Sequence, residues 1–334
     1  MGRAIAITPD ESAALSASAG RFLRKSLQSL IGASEAMIPL GGFPGPDEVH
    51  DIRVNMKRGR AILKLLRDSP GTVFYKRENL TLRDISSLFS QSREADVLQK
   101  TLKMLAKRHP QVFTAHIIRV ITEEATVLFN ARSEVPLSLT ARLTELDDCS
   151  YQHETDLTNQ NSSKISELSP GKVATVATVQ YDSHEPSGKL ALAETAREQL
   201  RRSWYRIGFV NLSGVTRETL LDGLWSSFSR ASAALSATRA TAQPEAVHEL
   251  RKRSKDLLYQ VRFFSDYNPG HFEKVHAQLD TICSVLGKCN DLAVAASIVS
   301  NYHTRTGETQ MLKIIATMEN ENKEMLEEIF QPAS

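Results

Sequence analysis

The sequence predicts an all-α fold of two antiparallel bundles, about four helices each, related by internal duplication and a pseudo-two-fold axis. Three observations predict it. Apolar residues recur at helical spacing along most of the 334 residues. The pentapeptide that begins at Val49 returns almost unchanged at Val247. Segments 93–97 and 290–294 follow the two copies at nearly equal distances, which favours duplication over coincidence.

The first half begins with a predicted helix over residues 11–38, followed by a loop rich in glycine and proline. The helix that contains His50 is predicted from about Asp47, its N-cap, to Asp68, where a Ser-Pro-Gly breaker follows. Further amphipathic helices are predicted over residues 73–91, 94–107 and 110–146.

The chain then changes character and repeats its plan. Residues 147–188 are polar and predict a linker, within which residues 172–181 could form a short strand. Helices resume at 189, and the second half predicts helices over 214–240, around His248, and over 271–286, 290–304 and 308–330. We therefore expect a first repeat at 11–146, a linker at 147–188 and a second repeat at 189–330.

Composition excludes several classes of protein. The net charge is only +2, so positive charge is a local feature and not a property of the whole chain. The three cysteines lack the spacing of a zinc site or a disulfide framework, which favours thiols in a reducing cytoplasm. We find neither a signal peptide nor an apolar run long enough for a membrane span, and we expect a cytoplasmic protein.

The most informative pattern is a stripe of cations that starts at each histidine. In the first helix, His50 and the cationic side chains after it recur at steps of three and four residues, which places them on one helix face over about 26 Å. The cations are Arg53, Lys57, Arg60, Lys64 and Arg67. An apolar seam from Val49 to Leu66 runs beside them and should pack into the bundle. Like charges at this spacing repel each other, so the stripe suits an extended anion.

These residues carry a family resemblance. The paired V-H-x-[IL]-R helices, with R-E-A-D-V and N-D-L-A-V after them, resemble the CHAD family, the conserved-histidine α-helical domain, over about residues 11–330. The resemblance implies two paired helical bundles whose facing basic helices bind inorganic polyphosphate. It implies binding roles for His50, Arg53, Lys57, Arg58, Arg60, His248, Arg251 and Lys255. Asp256 and Leu258 stand where further cations are usual, which weakens the expected second half of the site.

The favoured hypothesis is a non-enzymatic polyphosphate-binding protein, in the cytoplasm and associated with polyphosphate granules. The stripes add Lys64 and Arg262 to the candidate binding residues, and a separate basic cluster adds Arg202 and Arg206. No catalytic residue, metal site or cofactor is expected, and the E-x-E-x-K motif of triphosphate-tunnel domains is absent from the sequence. Roughly eight phosphate contacts predict that log K falls with log salt at a slope of about −5 to −6. Histidine contacts would raise affinity as pH falls through about 6.5.

Three alternatives stay open. The first is nucleic-acid binding through backbone contacts in the same groove, although few aromatic side chains are available to stack on bases. The second is phosphotransfer by a helical histidine, but the Thr-Pro typical of such boxes is replaced by Val54-Asn55 and Lys252-Arg253. The third is hydrolysis, which would require a set of metal-binding carboxylates that the sequence does not present.

Overall fold

The computed structural model describes residues 9–69, 72–89, 91–131, 186–241, 243–267, 270 and 272–330. Within these ranges the protein is all-α, with ten α-helices, one 3-10 turn and no strand. The all-α prediction is therefore confirmed. Most of the predicted linker at 147–188, including the predicted strand at 172–181, lies outside the described residues.

The helices alternate with short connections along the described chain. They are α1 (Pro9–Ala36), α2 (Pro46–Leu63), α3 (Thr72–Leu88), α4 (Gln91–Arg108), α5 (Ala115–Ala131), α6 (Pro186–Phe209), α7 (Arg217–Thr241), α8 (Pro244–Tyr267), α9 (Glu273–Thr306) and α10 (Gln310–Phe330). The two helices predicted over 271–286 and 290–304 are one continuous helix, α9. Gly287 lies within it, because a single glycine weakens a helix without ending it.

The start of α2 differs slightly from the prediction. Gly45 is the N-cap and Pro46 the first helical residue, so Asp47 lies in the first turn and is not the cap. Proline suits this position because its fixed φ is already helical and its missing N–H would have no partner there. Acidic residues in the first turn also interact favourably with the positive end of the helix dipole.

The end of α2 tightens into a 3-10 turn over Lys64–Leu66. Helix α7 packs on this turn at Gly223, where a Cβ atom would lie 2.2 Å from the carbonyl oxygen of Leu65. Only glycine allows so close an approach of the two backbones. The predicted apolar seam of α2 is confirmed, since its members Val49, Ile52, Met56, Gly59, Leu63 and Leu66 are all buried.

Two hydrophobic cores organise the helices. The first contains side chains of α1, α2, α3 and α6, together with Leu220 of α7 and the Phe263–Phe264 pair of α8. The second contains side chains of α4, α5, α9 and α10, together with Ala234 of α7 and Val247 of α8. Helices α7 and α8 thus pass from one core to the other.

The cores do not coincide with the two halves of the sequence. Helices α4 and α5 lie in the first half but pack with α9 and α10, whereas α6 lies in the second half and packs with α1 and α3. Two separate bundles, each made of one half, are therefore not what these contacts show, and internal duplication is not established by them. Hydrophobic spacing identified the buried face of each helix without specifying its partner.

Helix α9 is the only described helix long and apolar enough to cross a membrane by length and composition. Such a helix is weak evidence of a membrane span, because core helices of soluble proteins pass the same test. Side chains of α9, among them Leu286, Cys289 and Leu292, are buried in the second core against α4, α5 and α10.

Candidate anion-binding site

Helices α2 and α8, which carry the two histidine pentapeptides, pack directly against each other. Gln260 of α8 donates a buried hydrogen bond from Nε2 to the carbonyl oxygen of Ala61 in α2, at 2.8 Å. Phe263 and Phe264 of α8 share the first core with the apolar seam of α2, whereas Leu257 and Val261 of α8 are buried in a small separate cluster with Ala231 of α7. Cations of both helices lie near this contact.

The ammonium of Lys57 lies where the two basic stripes converge. Its pKa is lowered from 10.5 to about 8, first because surrounding protein atoms displace water and then because four cations repel its charge. Two of these cations, Arg53 and Arg60, are on α2, and two, Arg251 and Lys255, are on α8. We call these five residues the basic cluster. The expected convergence of the two helices is thus present around Lys57.

Three members of the basic cluster lack a neutralising partner. Within the described part of the chain, no hydrogen bond or ion pair involves the side chain of Lys57, Arg251 or Lys255. The Nε atom of Arg251 is buried without a hydrogen bond to any described group. The Lys255 ammonium lies 5.9 Å from the ring centroid of Tyr259, a contact that leaves its charge intact. An anion could accept hydrogen bonds from all three.

Arg53 and Arg60, the other two members, are anchored by neutral groups. Arg53 donates to the carbonyl oxygen of Ser86 at 2.9 Å, and Arg60 donates from Nε to Oδ1 of Asn79 at 3.2 Å. Both acceptors belong to α3, so this helix orients the two guanidinium groups through neutral contacts. Each guanidinium has five N–H donors in a fixed fork, a geometry that suits the oxygens of an anion.

Lys64, near the end of the stripe on α2, has an acidic partner. Lys64 is nearly buried, and its ammonium donates to both carboxylate oxygens of Asp256, each at 2.6 Å. Burial lowers the pKa of Lys64, while the adjacent Asp256 acts in the opposite direction. The stripe pattern predicts that Lys64 binds an anion, and the anion that it contacts is a carboxylate of the same molecule.

Arg58 of α2 and Arg262 of α8 form a second pair of neighbouring cations. Burial lowers the pKa of the Arg58 guanidinium, and Arg262 lowers it further, while Tyr259 and the carboxylate of Asp266 raise it. The Nε atom of Arg58 is buried and forms no hydrogen bond with a described group. Arg262 is exposed. Arg58 and Arg262 therefore form a second, smaller concentration of positive charge, which nearby carboxylates such as that of Asp266 partly compensate.

The two histidines have different surroundings. His50 is half-buried, and its Nδ1 atom forms no hydrogen bond with any group that the structure describes. His248 is exposed, and its Nδ1 lies 3.1 Å from Oδ1 of Asn290. If this oxygen is the acceptor, Nδ1 carries the proton and Nε2 is the ring atom left for a ligand. Asn290 belongs to the N-D-L-A-V segment, so this recurring segment contacts the histidine that precedes it.

The separate basic cluster of α6 is tied to acids. Arg206 donates to both oxygens of Glu78, from Nε at 2.7 Å and from Nη2 at 3.2 Å, and Glu78 is fully buried. Arg202 donates from Nε to Glu198 at 2.9 Å. Arg206 therefore joins α6 to α3 in the first core. Neither residue is among the charges that most strongly influence Lys57.

Several groups around the site were not anticipated from the sequence. Asn79 and Ser86 of α3 orient the arginines of α2, and Asp256 neutralises Lys64. Asp256 was recognised as a departure from the usual pattern, but its partner depends on the packing of α2 against α8. No group of three or more His, Cys, Asp or Glu suited to hold a metal occurs among the described residues.

Comparison with known protein families gives one match. The family model of the CHAD domain matches residues 21–300, which is most of the chain. No curated protein and no solved structure matches. The matched region contains both histidine helices and every member of the basic cluster. The chain therefore belongs to the CHAD domain family.

Proposed function

We propose that the protein binds inorganic polyphosphate without transforming it, in a groove lined by the basic cluster. The observation that carries this proposal is the convergence of four cations from two helices on Lys57, whose pKa they and desolvation lower to about 8. Such repulsion costs folding free energy and is relieved when an anion binds. Membership of the CHAD domain family is consistent with this ligand.

The geometry favours a ligand with several linked negative charges. Arginine presents a planar fork of donors that can contact two oxygens of one phosphate or neighbouring phosphates, while lysine acts as a point charge. The cluster draws on both helices, so a linear anion that contacts all of it must lie across α2 and α8. A chain of phosphates meets this requirement with one charge at every link.

The test is a titration with long-chain inorganic polyphosphate, comparing the wild type with Lys57→Gln/Lys255→Gln. We expect affinity to fall by about 100-fold, since each charge-assisted contact contributes about 1.5 kcal/mol. The matched control is Lys313→Gln/Lys323→Gln, which removes two exposed lysines of α10 and should leave affinity within about threefold. Equal losses of affinity in both variants would mean that net charge, and not the basic cluster, determines binding.

Salt dependence and competition identify the ligand class. Five cations at the site predict a slope of log K against log salt of about −3.5, from the single-strand coefficient of about 0.7 per neutralised phosphate. A slope shallower than about −2 would contradict a polyanion site. Single-stranded DNA at equal phosphate concentration should fail to displace polyphosphate. Efficient displacement would assign the site to nucleic-acid backbones instead.

In the cell, we propose a cytoplasmic protein associated with polyphosphate granules. A protein that binds the polymer and does not consume it would collect wherever the polymer accumulates. A fluorescent fusion should therefore colocalise with granules, and the Lys57→Gln/Lys255→Gln variant should spread through the cytoplasm.

A further inference from the structure

We propose that Asp256 is a specificity-determining residue, an internal anion that closes the Lys64 end of the groove to the ligand. This inference rests on the proposed function and specifies which part of the basic stripe the polyphosphate occupies. The observation behind it is the contact of Lys64 with both oxygens of Asp256 at 2.6 Å. A carboxylate occupies the position that a phosphate would otherwise take.

The ion pair is protected from solvent. The side chains of Lys64 and Asp256 are 10% and 15% exposed, so the pair is not a mobile surface contact. Separating such a pair leaves two poorly hydrated charges, which costs far more than separating an exposed one. A phosphate chain would have to displace Asp256 and also bring its own charge next to the displaced carboxylate. The ligand therefore stops before this pair.

The influence of Asp256 extends to the neighbouring arginine. Among the charges that act on Arg60, Asp256 is the strongest and favours the charged form, while Asp84 adds to it and Arg83 opposes it. Lys57, about one turn earlier, experiences four cations as its largest charge effects. The largest charge effects along the stripe thus come from cations at Lys57 and from a carboxylate at Lys64. Lys57 and Lys64 are about 10 Å apart along the helix, at a rise of about 1.5 Å per residue.

The inference predicts a gain of binding. Asp256→Asn keeps an oxygen that can accept from Lys64 but removes the negative charge, and it should open the end of the groove. We expect the affinity for long-chain polyphosphate to rise about five- to tenfold, as for one charge removed about 7 Å from an anion in a partly solvated site. Glu319→Gln on α10 removes one exposed acid elsewhere and should change affinity by less than about twofold.

A double variant tests the role of Lys64 itself. Lys64→Met/Asp256→Asn makes both positions neutral, and its affinity should return to the wild-type value. Affinity about tenfold below wild type would show that Lys64 contacts the ligand in the native protein and would overturn the inference. Thermal unfolding without ligand checks that both variants remain folded.

The single variant provides the second decisive result. If Asp256→Asn binds no more tightly than the wild type while Lys57→Gln/Lys255→Gln still weakens binding, Asp256 does not limit the site and the inference is wrong. If the lysine variant also binds normally, the proposed function itself fails. The two failures are therefore distinguished by one set of titrations.

Discussion

The lowered pKa of Lys57 predicts that polyphosphate binding takes up protons near pH 8. With a pKa of about 8 in the free protein, Lys57 is about half protonated at pH 8. A bound phosphate places negative charge beside Lys57, whose largest charge effects come from four cations, and it should restore the pKa towards 10.5. Lys57 is then almost fully protonated in the complex.

The magnitude follows from the two protonation states. Binding should take up roughly 0.5 proton per site at pH 8, about 0.9 at pH 9 and less than about 0.05 at pH 6.5. Because binding takes up protons, it becomes weaker as their concentration falls. Affinity should therefore fall about tenfold between pH 7 and 9. A histidine contact would instead give its uptake near pH 6.5, so the two contributions separate on the pH axis.

Isothermal titration calorimetry in two buffers of different ionisation enthalpy measures this uptake. At pH 8 the observed enthalpies should differ between buffers by about half of the difference in ionisation enthalpy. Lys57→Gln should abolish the difference, and Lys313→Gln should preserve it. Identical enthalpies for the wild type, or an undiminished difference in Lys57→Gln, would refute the role given to Lys57.

Four further predictions concern stability without ligand. Lys57→Gln should raise the free energy of unfolding at pH 6.5 by about 1 kcal/mol, a value discounted for solvent screening because Lys57 is exposed even though neighbouring atoms crowd its ammonium. Between pH 8 and 10.5 the Lys57 ammonium of the wild type binds more protons in the unfolded protein than in the folded protein. Its contribution to the free energy of unfolding should therefore rise with pH across this window. Urea denaturation at pH 8 and at pH 10.5 measures the change. Glu78→Gln should lower the free energy of unfolding by about 3 kcal/mol, because it leaves the Arg206 guanidinium without its buried carboxylate. A loss smaller than about 1 kcal/mol would contradict the pairing. Gly223→Ala should lower stability by about 2 kcal/mol, since its Cβ would collide with the Leu65 carbonyl, and an unchanged midpoint in thermal unfolding would be inconsistent with that contact.

The sequence was sufficient to predict the buried face of α2 and the two helices that carry the basic cluster. The apolar seam from Val49 to Leu66 is buried as its spacing required, because burial of a helix face is a local property of the pattern. The repeated pentapeptides identified α2 and α8 as the helices that carry the site. Their convergence at Lys57 followed from the expected pairing of similar elements.

Long-range pairing could not be predicted in the same way. The partner of Lys64 is 192 residues away, and nothing in the spacing of α2 distinguishes Lys64 from Lys57. Arg206 and Glu78 are likewise brought together only by the packing of α6 on α3. The helices that share each core could not be predicted from the sequence for the same reason. One apolar helix face can pack against many others, so the pattern does not specify its partner. The sequence shows which charges exist, and the packing decides which of them are neutralised.

The mixing of helices in the two cores has a consequence for dissecting the protein. A proteolytic cut between residues 131 and 186 would separate α1–α5 from α6–α10, yet each resulting fragment would contain helices that belong to both cores. Neither fragment could satisfy its own apolar surfaces, so the nicked chains should remain associated as a non-covalent heterodimer. Fragments expressed separately would need each other to fold, and mixing them offers a route to a split, reassembling version of the protein.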